Sequence, residues 1–407
     1  MRRVAVTGLG VVSPLGQGAA ALWASAVAGR SAIGLLPSPM AQRLRSPLAA
    51  RCDFDGAEHF DPPQLRQLDR ISQMALVASR QALAGAPAPP DRSRAGVFIG
   101  TGMGGTLSMD EGYQTLYADG SERIKPFTVL LGMHNAPAAW VAIEHGFKGP
   151  NLTYSTACSS SAVAIGEAWR WVASGDLDLA LAGGTEAPLS FGSLKAWEAL
   201  HTLAQVDVDD PATSCKPFSK NRSGMVLGEG AALLRLEAWD QALARGAPLL
   251  GEILGCGLNN EASHITRPSA EGQAAAMAAA LRSAGLGPEA IDAINAHGTG
   301  TLANDAAETA AIQQVFGARA AALPISATKA MHGHLLGAAG ALECVLSLLA
   351  MQHAVALPTL HRQLPDPDCD LDCVPHRARA GVAARTMLSN SFAFGGSNAV
   401  LVLGRGL

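Results

Sequence analysis

Residues 152–175, LTYSTACSSSAVAIGEAWRWVASG, and residues 323–351, LPISATKAMHGHLLGAAGALECVLSLLAM, decide the fold. Each reads as a short strand, a polar turn and a long helix with an apolar face. The same plan in both halves of the chain implies an internal duplication. VAVTGLGVVSP near the start pairs with GEILGCGLNN from Gly251, and AGVFIGTGMGG, ending at Gly105, pairs with DAINAHGTGT, ending at Thr301. MVLGEGAALLRL from Met225 pairs with SFAFGGSNAVLVLG from Ser391, both read as Gly-broken strand pairs. Strands alternating with helices predict two α/β halves, each with a mixed sheet. The boundary is expected near Gly246 to Gly251, giving halves 1–250 and 251–407. The stretches 37–61 and 207–222 read as surface excursions. In the first half Cys158 begins the long helix, and in the second Lys329 and His334 begin its counterpart. A pseudo-twofold axis would bring those helix starts together at the centre.

With 48% hydrophobic and 16% charged residues in 407, the chain is globular rather than disordered. Its 44 glycines and 5% aromatics favour close backbone packing. A net charge of −4 gives no overall case for nucleic acid. Seven cysteines at irregular spacing do not form a disulfide framework, so a reducing compartment, the cytoplasm, is expected. Arg2 and Arg3 precede apolar residues, but Gly8, Gly10, Pro14 and Gly16 break any signal-peptide core. No uninterrupted apolar run reaches the roughly 20 residues of a membrane span, so membrane insertion is not expected.

Cys158 lies in STACSSS just before Ala162, Ile165, Ala168, Trp169 and Val172, one apolar helical face. A thiol at a helix N-terminus is expected to have a lowered pKa and to attack carbonyl carbon. The alternative is a small buried hydrophobe, the reading kept for Cys52, Cys215, Cys256 and Cys344. Cys369 and Cys373 form a C-x3-C pair without further ligand spacing, and His332 with His334 lacks nearby acidic or thiol ligands, so no metal is expected. His297 ends a strand at the turn AHGTGT, and His334 lies in KAMHGHLLGAAGA among small residues. Two histidines and Lys329 around one cysteine suit covalent catalysis with oxyanion stabilisation. There is no G-x-S-x-G elbow for a hydrolase. NSFAFGGSN, residues 390–398, is a Gly-rich turn whose N–H groups could cradle an oxyanion.

Taken together, VTGLGVVSPLG, TACSSS, GGTEA, GEGAALL, HGTGT, KAMHGHLLGAAGA and NSFAFGGSNA resemble the β-ketoacyl-acyl-carrier-protein synthases, specifically the elongating I/II type of the thiolase superfamily, over essentially the whole chain. The resemblance implies a thiolase-like fold, with two duplicated α/β halves and mixed five-stranded sheets in a layered α-β-α-β-α arrangement. It implies a homodimer that binds no cofactor and takes substrates on the phosphopantetheine arm of acyl carrier protein. By the same resemblance Cys158 accepts the acyl chain, the N–H groups of Cys158 and Phe394 hold the thioester oxyanion, and His297 and His334 promote decarboxylation of malonyl carrier protein. Lys329 and Glu343 form a supporting pair. Thr299 and Thr301 bind the pantetheine arm, with Thr266 and Gly395 on the mobile loops beside it. Phe394 is a gatekeeper, and Met103 lies near the acyl pocket. Arg66, Arg70, Arg123 and Lys125 are expected to meet the acidic carrier protein.

Four positions depart from the family pattern: His332 where Ser or Thr is usual, Glu261 and Ser263 in the loop NNEASHITRP where Asp and often Tyr are usual, and Ala306 where Lys is usual. A thiolase would need a second cysteine where Phe394-Gly395-Gly396 stands, and an initiating synthase would carry Asn in place of His334. A non-catalytic partner subunit would lack the nucleophile. Fatty-acid elongation is therefore expected, with the ketosynthase of a specialised polyketide or polyene pathway, with or without a chain-length-factor-like paralogue as its partner, as the alternative.

Overall fold

The computed structural model describes residues 1–37 and 39–406. The first half contributes β1 (Val4–Ser13), β2 (Ala95–Gly100), β3 (Asn151–Tyr154), β4 (Leu179–Glu186) and β5 (Gly230–Ala238). The second contributes β6 (Gly251–Asn260), β7 (Ala293–Asn295), β8 (Ile325–Ser326), β9 (Thr386–Phe392) and β10 (Ser397–Arg405). Their spatial order is β3-β2-β4-β5-β1-β6-β10-β9-β7-β8, with the short strand Gly16–Gln17 added to the end of β1. Reading outward from the centre, each half repeats two antiparallel and then two parallel pairings. The duplication is thus visible in the ladder itself. The two five-stranded halves are not separate sheets, however. β1 and β6 pair antiparallel through Val4↔Ile253, Ala5↔Glu252 and Val6↔Gly251, fusing them into one continuous sheet.

Helices cover this sheet in layers. α1 (Arg70–Ala82) and α2 (Ala136–His145) pack on the outer face of the first half, and α4 (Ala270–Ala284) and α5 (Leu302–Phe316) on that of the second. Between the halves lie α3 (Ser160–Ser174) and α6 (Ala339–His353). α3 turns Ala162, Ile165, Ala168, Trp169 and Val172 into the core. α6 is buried on all sides from Ala339 to Met351, as an apolar helix between the two halves of the sheet must be. The window Leu336–His353 has the length and composition of a membrane span, but 89% of it is buried inside the protein.

Two glycines set how closely the layers meet. A Cβ on Gly100 would come within 2.3 Å of the backbone at Ser160 and Ser161, so β2 can touch the start of α3 only there. A Cβ on Gly340 would lie 3.2 Å from the Ala162 nitrogen, where α6 crosses α3. At this crossing the Ser161 hydroxyl accepts from the N–H of Ala341 at 2.9 Å, tying the two helix starts together.

Three local expectations are corrected. Lys329 and His334 do not begin the long helix: Lys329–His332 is a single turn, and α6 starts at Ala339. Gly333 (φ 68°) and Leu336 (φ 43°) break the helix, and the backbone of His334 bonds instead to Val226 and Gly228. The stretch from Met225 is not a strand pair, because Met225–Glu229 makes only isolated bridges before β5. The 207–222 segment is not wholly superficial either. Phe218 and Arg222 are buried, and the Phe218 N–H donates to Asp305 under the 298–301 turn.

Candidate active site

The thiol of Cys158 sits one 3-10 turn, Ala157–Ser159, ahead of α3. Ala157 adopts φ 49°, a left-handed conformation rare outside glycine, which turns Cys158 into the cleft between the halves. The sequence reading of a lowered thiol pKa does not hold. Burial pushes Cys158 up to about 12, against the opposing pull of the Lys329 charge and of the N–H groups of Phe394 and of Cys158 itself. Desolvation outweighs the local dipole because Cys158 is largely withdrawn from water.

His297 follows β7, and His334 lies on the bridge to Leu227. One nitrogen of each ring and the Cys158 sulfur all fall within 4.8 Å of one another. The rings meet edge to face, with centroids 5.3 Å apart. The Leu336 N–H donates to Nδ1 of His334 at 3.2 Å, which leaves the proton on Nε2. That Nε2 is buried and has no protein partner among the described residues. Lys329 Nζ lies 3.3 Å from Nδ1 of His297 and donates to the His297 carbonyl at 2.5 Å, fixing the same tautomer there. Burial first, then the Lys329 charge, holds both imidazoles well below the usual histidine range. Both rings are therefore neutral donors. The spacing of these three groups would also suit a metal ion, but the adjacent ammonium repels a cation and both Nε2 atoms carry protons.

Lys329 is itself buried and paired with Glu343 at 2.5 Å. Burial pushes Glu343 up to about 7 against the pull of Lys329. His332, the unusual residue of this motif, donates from Nδ1 to the Gly333 carbonyl at 2.7 Å and accepts from the Thr328 hydroxyl at 2.9 Å. Burial and the Lys329 charge bring its pKa down to about 3. The unfolded value is about 6.5, so the unfolded chain binds the extra proton first as pH falls. The stability that His332 contributes is complete above pH 6.5 and declines towards pH 3. Chemical denaturation of wild type and His332→Ser at several pH values should show the variant gaining up to about 1.4 kcal/mol relative to wild type per unit below 6.5. Parallel curves would refute a buried neutral imidazole at this position.

Three acids that sequence reasoning did not single out position these groups. Glu186, at the end of β4, accepts from the N–H groups of Gly102 (2.6 Å), Met103 (3.0 Å) and Gly337 (2.8 Å) and from the Thr101 hydroxyl (3.1 Å). Glu308 accepts from the N–H groups of His297 and Gly298, at 2.8 and 2.9 Å. Asp305 accepts from those of Phe218 and Gly300.

A cavity of about 210 Å³ opens onto Cys158, His297 and His334 and is also lined by Thr299, Thr301, Thr266 and Phe394. The hydroxyls of Thr299 and Thr301 are 2.9 Å apart. Gly395 lies behind Phe394, its N–H donating to the Ile265 carbonyl at 2.7 Å, so the two loops are joined. Met103 packs against the apolar cluster that includes Cys158. Arg66 and Arg123 are exposed, and Lys125 is exposed beside Glu111. Arg66, Arg70 and Lys125 share one surface groove. Arg70, however, forks onto Glu229 through two 2.8 Å bonds and donates to the Phe54 carbonyl, which turns its guanidinium inward.

This Cys-His-His centre between duplicated halves coincides with two family matches: residues 1–242 match the β-ketoacyl synthase N-terminal domain, and residues 250–363 its C-terminal domain. The chain belongs to the β-ketoacyl synthase family. As a member it is an acyltransferase-type condensing enzyme. The synthase is 42% identical to nodulation protein E of Rhizobium meliloti (strain 1021), over 98% of each chain. It is also 42% identical to 3-oxoacyl-[acyl-carrier-protein] synthase 2 of Coxiella burnetii (strain RSA 493 / Nine Mile phase I), over 99% of each. A solved structure of a type II PKS acyl-carrier protein in complex with its ketosynthase bound to the hexaketide matches this synthase with a TM-score of 0.92 and 32% identity, over 99% of each chain.

Proposed function

We propose that this synthase elongates acyl chains in fatty-acid synthesis, on substrates carried by acyl carrier protein. The observation that carries the reading is a thiol faced by two backbone N–H groups and by two neutral imidazoles. In the first half-reaction the Cys158 sulfur attacks the acyl thioester, the oxyanion is held by the N–H groups of Cys158 and Phe394, and the thiol proton ends on the departing pantetheine sulfur. In the second, malonyl carrier protein loses CO₂. The enolate oxygen takes hydrogen bonds from Nε2–H of His297 and His334, and its carbon attacks the acyl-Cys158 carbonyl. The C–S bond to Cys158 breaks, giving a 3-oxoacyl carrier protein two carbons longer and a thiolate that takes a proton from solvent to regenerate the thiol. Lys329, held by Glu343, acts by fixing the His297 tautomer. Thr299, Thr301 and Thr266 line the route of the pantetheine arm. Gly395 gives Phe394 room to move, and Met103 borders the acyl side. No bound cofactor enters this chemistry.

The halves 1–250 and 251–407 then divide the work between nucleophile and enolate stabilisers. Exposed Arg66, Arg123 and Lys125 remain the basic contacts for an acidic carrier, and Arg70 contributes less because Glu229 holds it. A homodimer is supported by β3, an edge strand with Leu152 exposed, and by exposed Tyr113, Tyr117, Phe127, Val129, Leu130 and Met133. The cytoplasm is the expected compartment. A specialised pathway, with a paralogue in place of the second copy, is the second reading. It is favoured by the likeness to nodulation protein E and to a polyketide ketosynthase.

Intact-mass spectrometry after incubation with acyl carrier proteins of graded chain length, then malonyl carrier protein, tests this. The expected result is one acyl adduct on Cys158, discharged as a product two carbons longer. A folded protein that takes no linear acyl group from any carrier would contradict fatty-acid elongation.

A further inference from the structure

The two sides of Cys158 differ. Thr299, Thr301 and the two histidines line the open cavity together with Cys158, whereas Leu194, Leu227, Leu336, Met103 and Trp197 belong with it to one apolar cluster, and Met225 lies in both. An acyl chain on Cys158 has to enter that apolar side. Phe394 belongs to both, because it lines the cavity and stacks on Trp197, with ring centroids 6.1 Å apart and planes at 26°.

The partners of this stack are held very differently. Phe394 precedes Gly395 (φ 84°) and Gly396 (φ 72°), a backbone that swings at little steric cost. Trp197 stands on the helix Phe191–Ala199, whose start is capped by Ser190. The next residue, Glu198, accepts from the N–H groups of Arg45 and Ser46 and from Lys195, which also donates to the Arg43 carbonyl. The indole is thus fixed to the body of the first half, and the phenyl ring is hinged.

We propose that Trp197 is a specificity-determining residue: it is the rest on which Phe394 closes and, once Phe394 leaves, the wall that limits how long or bulky an acyl chain on Cys158 can be. The proposal rests on the acyl-enzyme reading above. A large aromatic at this wall narrows the chamber to chains that pass the indole face. Steric discrimination by such a wall is worth about 10- to 200-fold.

The test measures acylation of Cys158 by carrier proteins bearing short and long acyl chains in wild type, Trp197→Ala and Trp197→Phe. In Trp197→Ala the ratio of long-chain to short-chain kcat/KM is expected to rise by at least about 10-fold. Trp197→Phe, which keeps an aromatic rest, should restore most of the wild-type ratio. As a second readout, tryptophan emission of wild type should shift when Cys158 is acylated, and that shift should vanish in Trp197→Phe. An unchanged long-to-short ratio in Trp197→Ala, or equal loss of every donor in both variants, would overturn the proposal. A wild type that takes no acyl group from any donor would instead remove the acyl-enzyme reading, and this proposal with it.

Discussion

Cys158→Ala is expected to take no acyl group from any carrier protein and to lose condensation by about 10³-fold or more, while the protein stays folded. The thiol is buried, with a pKa pushed up to about 12, so little thiolate stands ready at neutral pH. Its reactivity comes from what meets it during attack. The N–H groups of Cys158 and Phe394, which oppose the rise of the thiol pKa, receive the charge that forms on the thioester oxygen. Exchange of one thioester for another is proton-neutral, so the thiol proton needs no permanent base. Alanine keeps both N–H groups and both imidazoles, so the variant should still release CO₂ slowly from malonyl carrier protein. Intact mass spectrometry and a CO₂-release assay separate the two half-reactions. An acyl adduct on the alanine variant, or condensation within tenfold of wild type, would remove Cys158 from the mechanism.

How much of this site could be read in the sequence depends on where each residue finds its partner. Cys158, His297 and His334 stand in short turns of small residues, and the duplicated plan brings those turns together, so their meeting was legible. Glu186, Glu308 and Asp305 were not, because their partners are mainly backbone N–H groups, which leave no mark in a side-chain pattern. One signal was available for Glu186: a lone charge closing the otherwise uncharged run LALAGGTE must be satisfied where it lies. Arg70 read as a surface charge because its partner, Glu229, is 159 residues away. KAMHGHLLGAAGALEC read as one helix because its residues are mostly good helix formers. The left-handed backbone at Gly333 and Leu336 is set by the bridge from His334 to Leu227, a contact made across the fold. The thiol pKa failed for a related reason. A helix terminus is local, burial is tertiary, and burial is the larger effect here.

His334→Ala should separate the half-reactions the other way. Its Nε2–H is a buried donor without a protein partner among the described residues, on a ring held by a Leu336 N–H behind it and lining the cavity beside Cys158. Removing one such donor costs about 10²- to 10³-fold. Acylation should survive, because the N–H groups of Cys158 and Phe394 are untouched, so the variant should accumulate acyl-Cys158 and fail to discharge it with malonyl carrier protein. His334→Asn, which can present an N–H from a shorter side chain, should recover part of the loss. Burial and the Lys329 charge hold the His334 pKa well below 6.5, so the ring stays neutral across neutral pH. The wild-type condensation rate should therefore owe no acid limb near 6.5 to His334, and any limb near 7 belongs to Glu343. Normal condensation by His334→Ala would sink the role given to this ring. A limb near 6.5 that disappears in the variant would show instead that His334 titrates as an ordinary histidine and that its donor comes and goes with pH.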